Sequence, residues 1–238
     1  MNLGLTVLAH RRPAYFAQMA ASLAAIAHDD WDVVITLDRP DAATLAIAEG
    51  MDAMLHVFTH EPAARIGDPY DRDYRRISVL TRSAIRAAFE RGADFVMHFE
   101  EDLVLAPDCL AYAGWAAQRY RADPSVFTVN AWGMAETLPG LYATRTYPFF
   151  TPWGWGTWRD RWAEMDRLWD VRRWDQHLNE RIRGDRLGVF PDVARTRNVG
   201  VAGTQSADEW FVRENSAGLH FADTADPAHW QGGKVVGT

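Results

Sequence analysis

Asp94-Phe95-Val96-Met97-His98-Phe99-Glu100-Glu101-Asp102-Leu103 decides the architecture of this chain. An apolar run enters the stretch and stops at three consecutive acids. A short apolar run bounded by turn signals has the form of a buried central strand. Ala106-Pro107-Asp108, just beyond, has the form of a helix start. Three adjacent carboxylates repel one another and ask for a compensating positive charge. A hard divalent cation held by oxygen supplies one; a solvated acidic turn is the other reading. His98 and Glu100 share one face of the strand, where His98 reads as a hydrogen-bonded core residue rather than a ligand.

Upstream of this stretch the chain alternates strand and helix. Leu3–Leu8 predicts a strand and Ala14–Ala27 a helix. Asp32–Leu37 is a β-branched strand ending at Asp38. Asp41 caps a helix that runs to Glu49 and stops at Gly50, and Ala53–Thr59 offers a third strand. Residues 61–75, polar with two prolines and a glycine, predict a surface loop. Arg76–Arg91 predicts a helix closed by Gly92. Downstream, Pro107–Arg121 predicts a helix and Ser125–Trp132 a strand. This rhythm predicts an α/β fold: an open, mostly parallel sheet flanked by helices, in a single domain. Ligands of such sheets bind beyond the carboxyl ends of the strands. Arg12, Asp38, Glu100, Glu101, Asp102 and Trp132 all fall there, which predicts one site. Neither GxGxxG after the first strand nor GxxxxGK[ST] occurs, so a dinucleotide fold and a P-loop are unsupported.

The second half differs in character. Residues 133–147 predict irregular structure. Tyr147–Trp158 (YPFFTPWGWGTW) is aromatic and glycine-rich, suiting either a pocket wall that stacks on a ring-shaped ligand or a tight core corner. Thr157 is placed to cap a helix over Trp158–Leu168 with Asp160 three residues on, and Trp158, Trp162 and Met165 lie at core spacing on it. Trp174–His177 opens another helical segment. Phe190–Thr204 mixes arginines with glycines and predicts a mobile loop. The tail after about Asp208 is polar.

Composition narrows the partners. A net charge of −7 argues against a nucleic-acid partner, which needs an excess of Lys and Arg. The single cysteine, Cys109, excludes an internal disulfide and a Cys-built zinc site. No run approaches the roughly 18 apolar residues of a membrane span, and the N-terminal run Leu3–Ala9 lacks the charged flank of a signal peptide. The expected location is cytoplasmic.

Four stretches together resemble the GT-A-fold glycosyltransferases, most closely the inverting N-acetylglucosaminyltransferase I type and small bacterial relatives. They are LTVLAHRRP (Leu5–Pro13); RISVLTRSAIRAAF (Arg76–Phe89) followed by HFEEDLVLAPD (His98–Asp108); PFFTPWGWGTW (Pro148–Trp158) with its Gly-Trp pair at Trp155; and Trp174-Asp175 followed by FPDVARTRNVGVAG (Phe190–Gly203). The resemblance implies a Rossmann-like sheet and a nucleotide-sugar donor, a UDP-sugar first of all. It implies a nucleotide-sugar and metal half over about 1–132, an acceptor and catalytic half over about 133–206, and a C-terminal tail.

The same resemblance implies roles. Asp102 ligates Mn²⁺ or Mg²⁺. Glu100 and Glu101 contact the ribose or metal-bound water, Asp38 the uracil or ribose, and Arg12 the nucleotide. Trp132 and Trp155 line the donor site. Asp175 is the base that takes a proton from the acceptor hydroxyl, or else an acid at a helix N-terminus. Arg195 and Arg197 supply positive charge to the diphosphate, or else form surface salt bridges. Three positions depart from the family pattern: Glu101 stands for an aspartate, Gln176 for the second of two paired aspartates, and Leu80 for a histidine. Glu164, Asp166 and Asp208 are the other candidates for the base. A metal-dependent phosphohydrolase or nucleotidyltransferase, or a non-catalytic carbohydrate-binding domain of the same fold, is the competing reading.

Overall fold

A computed structural model describes residues 1–59, 69–133, 140–200 and 221–231, except the side chains of 69–73 and 231. The strands are β1 (Leu3–Ala9), β2 (Trp31–Asp38), β3 (Met54–Phe58), β4 (Phe95–Glu100), β5 (Leu103–Leu105), β6 (Val126–Asn130), β7 (Thr144–Tyr147), β8 (Trp155–Trp158), β9 (Leu187–Pro191) and β10 (Thr196–Asn198). The helices are α1 (Pro13–Ala24), α2 (Ala42–Glu49), α3 (Pro69–Glu90), α4 (Cys109–Tyr120), α5 (Arg159–Leu168), α6 (Trp174–His177) and α7 (Ala228–Gln231), with a π-helical turn over Leu178–Ile182. None of the helices described is long and apolar enough to cross a membrane.

Eight strands form one sheet in the order β3-β2-β1-β4-β8-β6-β9-β7, and β5 pairs with β10 in a short ribbon. β1 to β4 run parallel, β6 and β9 keep that direction, and β8 and β7 oppose it. The α/β, mostly parallel, single-domain expectation is met. β1 lies between β2 and β4, so the carboxyl ends of all three converge on one edge.

The period of two along β4 sets the layers. Phe95, Met97 and Phe99 face a core shared with Phe16, Met19 and Leu23 of α1 and with Tyr112, Ala113 and Ala116 of α4. Val96 faces the opposite core, built from Ile85 and Phe89 of α3, Trp162 and Met165 of α5, and Trp155 and Trp174. On that side His98 is 1% exposed and Nδ1 lies 2.8 Å from Thr6 Oγ1, so it is the core histidine expected.

Several expectations are corrected. α3 begins at Pro69, so the polar stretch to residue 75 is helical from there; residues 60–68 lie outside the described part. α4 begins only at Cys109, because the Asp108 side chain is bound to Arg195 instead of capping the helix. The stretch 133–147, expected to be irregular, contains β7. The glycine-rich aromatic segment supplies a central strand, β8, inserted antiparallel between β4 and β6. Gly156 makes that possible: a Cβ there would stand 2.5 Å from both Met97 Sδ and Phe95 Cζ. Thr157 lies in this strand with Oγ1 donating to Phe127 O at 3.0 Å, so α5 has no threonine cap. Trp158, Trp162 and Met165 are core, as expected. The described part of Phe190–Thr204, expected to be a mobile loop, opens in β9 and continues through β10, and residues 201–204 lie outside the described residues.

Candidate functional site

The turn after β1 is built around acids that follow β4. Arg12, which precedes the Pro13 start of α1, reaches Glu101 Oε1 with Nε at 2.5 Å and Asp102 Oδ2 with Nη2 at 2.9 Å. The backbone N–H of His10 donates to Glu101 Oε2 at 2.5 Å. Burial alone would lower the Arg12 pKa, but the charges of Asp102 and Glu101 outweigh it and hold the guanidinium more firmly protonated than usual. Glu101 is 2% exposed with both oxygens taken by the protein, so the ribose contact expected of it is not available in this arrangement. It fixes the turn.

Asp102 is 7% exposed, and its backbone carbonyl accepts from Val199 N–H at 2.8 Å. Oδ2 is engaged by Arg12, whereas Oδ1 is buried and has no hydrogen-bond partner among the described residues. A buried carboxylate oxygen without a donor is costly. Gly200 packs tightly against the same carboxylate: a Cβ there would stand 2.4 Å from Asp102 Oδ2, the oxygen that Arg12 engages. Glu100, at the end of β4, has its pKa pushed up to about 8, first by desolvation and then by the nearby charge of Asp102; Asp175 adds to the same repulsion. Asp175 is thus brought within electrostatic reach of the acidic end of β4.

Asp175 stands in the first turn of α6. Its Oδ1 accepts from Gln176 N–H at 2.7 Å and from the hydroxyl of Tyr74 on α3. Two residues on from Tyr74, Arg76 forms an ion pair with Asp38. Asp38, 4% exposed, also lies 3.1 Å from His10 Nδ1 through Oδ2. Next to it Arg39 takes the left-handed backbone (φ 45°), uncommon for a side chain of this size. Neither Tyr74 nor Arg76 was singled out from sequence. Tyr74 lies in the segment expected to be a loop, while Arg76 opens the helix motif already quoted.

The remaining candidates separate. Trp132 is partly exposed with its ring 5.3 Å from that of Trp153, at the same edge of the sheet. Trp155 is 0% exposed, packed edge-on to Phe150 and His98 and stacked with Trp174, so it has no free face for a donor. Arg195 is also 0% exposed. Its Nε and Nη2 bind Asp108, Nη1 binds Val193 O and Nη2 also binds Leu141 O. The expectation that it faces a diphosphate is corrected: it is the buried centre of an aromatic cluster of Tyr112, Tyr142 and Trp230. Arg197 is exposed on β10, over the Phe221 ring. Glu164 pairs with Arg186, and Asp166 with Arg82 and Arg86. Asp208 lies outside the described residues.

The arrangement fits a hard divalent cation with few protein ligands. Asp102 Oδ1 offers one charged oxygen without a hydrogen-bond partner among the described residues, on a carboxylate against which Gly200 packs with no room for a Cβ. Among the described residues no group of three His, Cys, Asp or Glu side chains converges. Mg²⁺ and Mn²⁺ commonly take one or two carboxylates and complete their shell with phosphate and water oxygens.

Comparison with known proteins places the chain. The family described as the GNT-I family matches residues 8–216. The alpha-1,3-mannosyl-glycoprotein 2-beta-N-acetylglucosaminyltransferase of Arabidopsis thaliana is 31% identical over 114 residues, 46% of this chain and 26% of that protein. The chain therefore spans about a quarter of that relative's length. Among solved structures, S. aureus TarS 1-349 in complex with UDP-GlcNAc superposes with a TM-score of 0.56 at 15% identity, covering 97% of this chain and 69% of that one. The mannosyltransferase PcManGT of Pyrobaculum calidifontis, in complex with GDP-Man and Mn²⁺, gives 0.50 at 17% identity over 74% of this chain and 50% of that one. At these identities the likeness is one of fold, the GT-A sheet. With 209 of 238 residues inside the family match, the chain belongs to the GNT-I family.

Proposed function

We propose that the chain is an inverting glycosyltransferase that moves a sugar from a UDP-sugar, UDP-GlcNAc first among them, to an acceptor hydroxyl with a divalent cation. The observation that carries this reading is the buried Asp102 Oδ1, which has no hydrogen-bond partner among the described residues, with Asp175 held near Glu100. The family match and relatives that are N-acetylglucosaminyltransferases or bind UDP-GlcNAc support the same chemistry.

Asp102 Oδ1 would hold the cation, and Mn²⁺ or Mg²⁺, when bound, would supply a Lewis acid for the charge that develops on the departing diphosphate. Arg12 keeps Asp102 in place from the side away from Oδ1. Asp38 is fixed by Arg76 and His10, and in this reading it is the residue that meets the nucleoside. The acceptor oxygen forms a bond to the anomeric carbon as the bond from that carbon to the phosphate oxygen breaks. The electron pair leaves with the diphosphate, and the acceptor proton passes to Asp175. Attack from the face opposite the leaving group inverts the anomeric centre.

A phosphohydrolase or nucleotidyltransferase built on several metal-held carboxylates fits less well, because Arg12 and His10 already occupy Glu101. The test is thermal stabilisation by UDP with and without Mn²⁺, followed by UDP release from UDP-GlcNAc in the presence of simple glycosides. Stabilisation that requires the metal, lost in Asp102→Ala, supports the reading. No response to any nucleotide, or phosphate release in place of UDP, overturns it.

A further inference from the structure

We infer that Tyr74 is a positioning residue for the base: its hydroxyl fixes the Asp175 carboxylate so that one oxygen faces the acceptor. This rests on the reading of Asp175 given above, and three geometric observations carry it. Asp175 Oδ1 has two donors, the Tyr74 hydroxyl and Gln176 N–H. Oδ2 accepts no hydrogen bond among the described residues, which leaves it available to take a proton. A carboxylate held at one oxygen by a side chain and a backbone group loses its rotation about Cβ–Cγ, so Oδ2 points in one direction before the acceptor arrives.

The third observation is where Tyr74 comes from. Helix α3 carries Tyr74 and Arg76 two residues apart, and side chains at that spacing point to different sides of a helix. Arg76 goes to Asp38 at the end of β2, and Tyr74 goes to Asp175 on α6. One rigid helix therefore sets the distance between the two ends of the site. Four residues on from Tyr74, Ser78 accepts from Trp169 Nε1 at 2.9 Å, tying the same stretch of α3 to the segment that leads into α6. α6 has a single turn and no side-chain cap, so beside the Gln176 N–H it is the Tyr74 hydroxyl that orients the Asp175 carboxylate.

The proton follows the path already written, from the acceptor hydroxyl to Oδ2; Tyr74 keeps its own. Tyr74→Phe keeps the ring and removes only the hydroxyl. It is expected to lower kcat for UDP release from UDP-GlcNAc about tenfold to a hundredfold, with the donor KM and the UDP-induced thermal shift unchanged. Asp175→Asn is expected to remove nearly all turnover, and adding Tyr74→Phe to it to change the residual rate no further. A kcat equal to that of the unsubstituted protein overturns the inference while leaving the base intact. The same fold-loss from Tyr74→Phe in both backgrounds also overturns it, since the hydroxyl would then act elsewhere. Full turnover in Asp175→Asn sinks the base assignment itself. If Tyr74→Phe unfolds, Tyr74→His, which retains a donor on a ring, replaces it: recovery of more than half the original kcat supports the inference and loss of turnover in a folded protein overturns it.

Discussion

Gly200 lies so close to Asp102 that a Cβ added to it would stand 2.4 Å from Oδ2 and 3.0 Å from Cγ. Gly200 does not take the left-handed backbone that would by itself call for glycine, and its N–H is satisfied by Asn198 Oδ1 at 2.8 Å. The contact falls on Oδ2, which Arg12 engages, while Oδ1 of the same carboxylate has no hydrogen-bond partner among the described residues.

Gly200→Ala should therefore act on the cation rather than on the fold. The methyl pushes Asp102 against Arg12 or displaces the Val199–Gly200 backbone, and affinity for Mn²⁺ falls on the order of tenfold or more, as for other disturbances beside a metal ligand. Mn²⁺ titration followed by the UDP-dependent thermal shift measures it. Unchanged Mn²⁺ affinity in a folded Gly200→Ala protein would show that the cation binds elsewhere.

Arg12 is the counter-charge for two buried acids at once. Arg12→Ala leaves Glu101, 2% exposed, without its ion pair. Breaking a buried pair costs about 3–5 kcal/mol; the partial exposure of the Arg12 side chain, 29%, discounts this to roughly 2 kcal/mol. Urea unfolding gives the loss. Replacing both partners, Arg12→Met with Glu101→Met, should recover most of it, because no lone charge is then left in the interior. A double variant no more stable than Arg12→Ala would count against this account.

How legible this was depends on whether a residue's role is local. β4 and the acids after it could be read from sequence because an apolar run ended by charges is a strand end in any surroundings. Asp38 and Arg12 followed from the same rule applied to neighbouring strands. The sheet order β4-β8-β6 could not be read, since β8 is a four-residue strand whose glycine is explained only by Phe95 and Met97 crossing it. The same blindness affected Trp155 and Arg195. A tryptophan between glycines and an arginine in a polar loop have the composition of a binding surface, and only long-range packing places both at 0% exposure. Tyr74 escaped because its partner is 101 residues away on another helix.

Arg195 and Asp108 form an ion pair in which both side chains are wholly buried, and Trp230 Nε1 donates to the same carboxylate at 2.7 Å. The cluster fastens the last described helix, α7, to α4. Arg195→Met removes the charge but leaves Asp108 buried, and should cost about 3–5 kcal/mol. Arg197→Ala, at an exposed position, should change stability by no more than about 0.5 kcal/mol. Chemical unfolding of the two variants, with UDP affinity measured on each, separates a structural from a donor-binding role. An Arg195→Met protein of full stability with weakened UDP binding would return Arg195 to the site.

His98 gives the chain an acid-sensitive core. It is 1% exposed, and desolvation lowers its pKa from 6.5 to about 3. Nδ1 meets Thr6 Oγ1, and Nε2 has no hydrogen-bond partner among the described residues, an arrangement that suits the neutral ring. In the unfolded chain the ring titrates near its ordinary value, so as pH falls the unfolded state takes up this proton first. The stability from keeping His98 neutral is therefore complete above pH 6.5 and is lost as pH drops from there toward 3, at about 1.4 kcal/mol per pH unit. At pH 5 the loss is about 2 kcal/mol by the same linkage. His98→Gln keeps an amide for Thr6 and cannot titrate. It should start less stable at pH 7.5 but fall less steeply between pH 6.5 and 5, by that amount. Urea midpoints at pH 7.5, 6.5 and 5 for both proteins give the comparison; parallel curves would mean that His98 is protonated without opening the sheet.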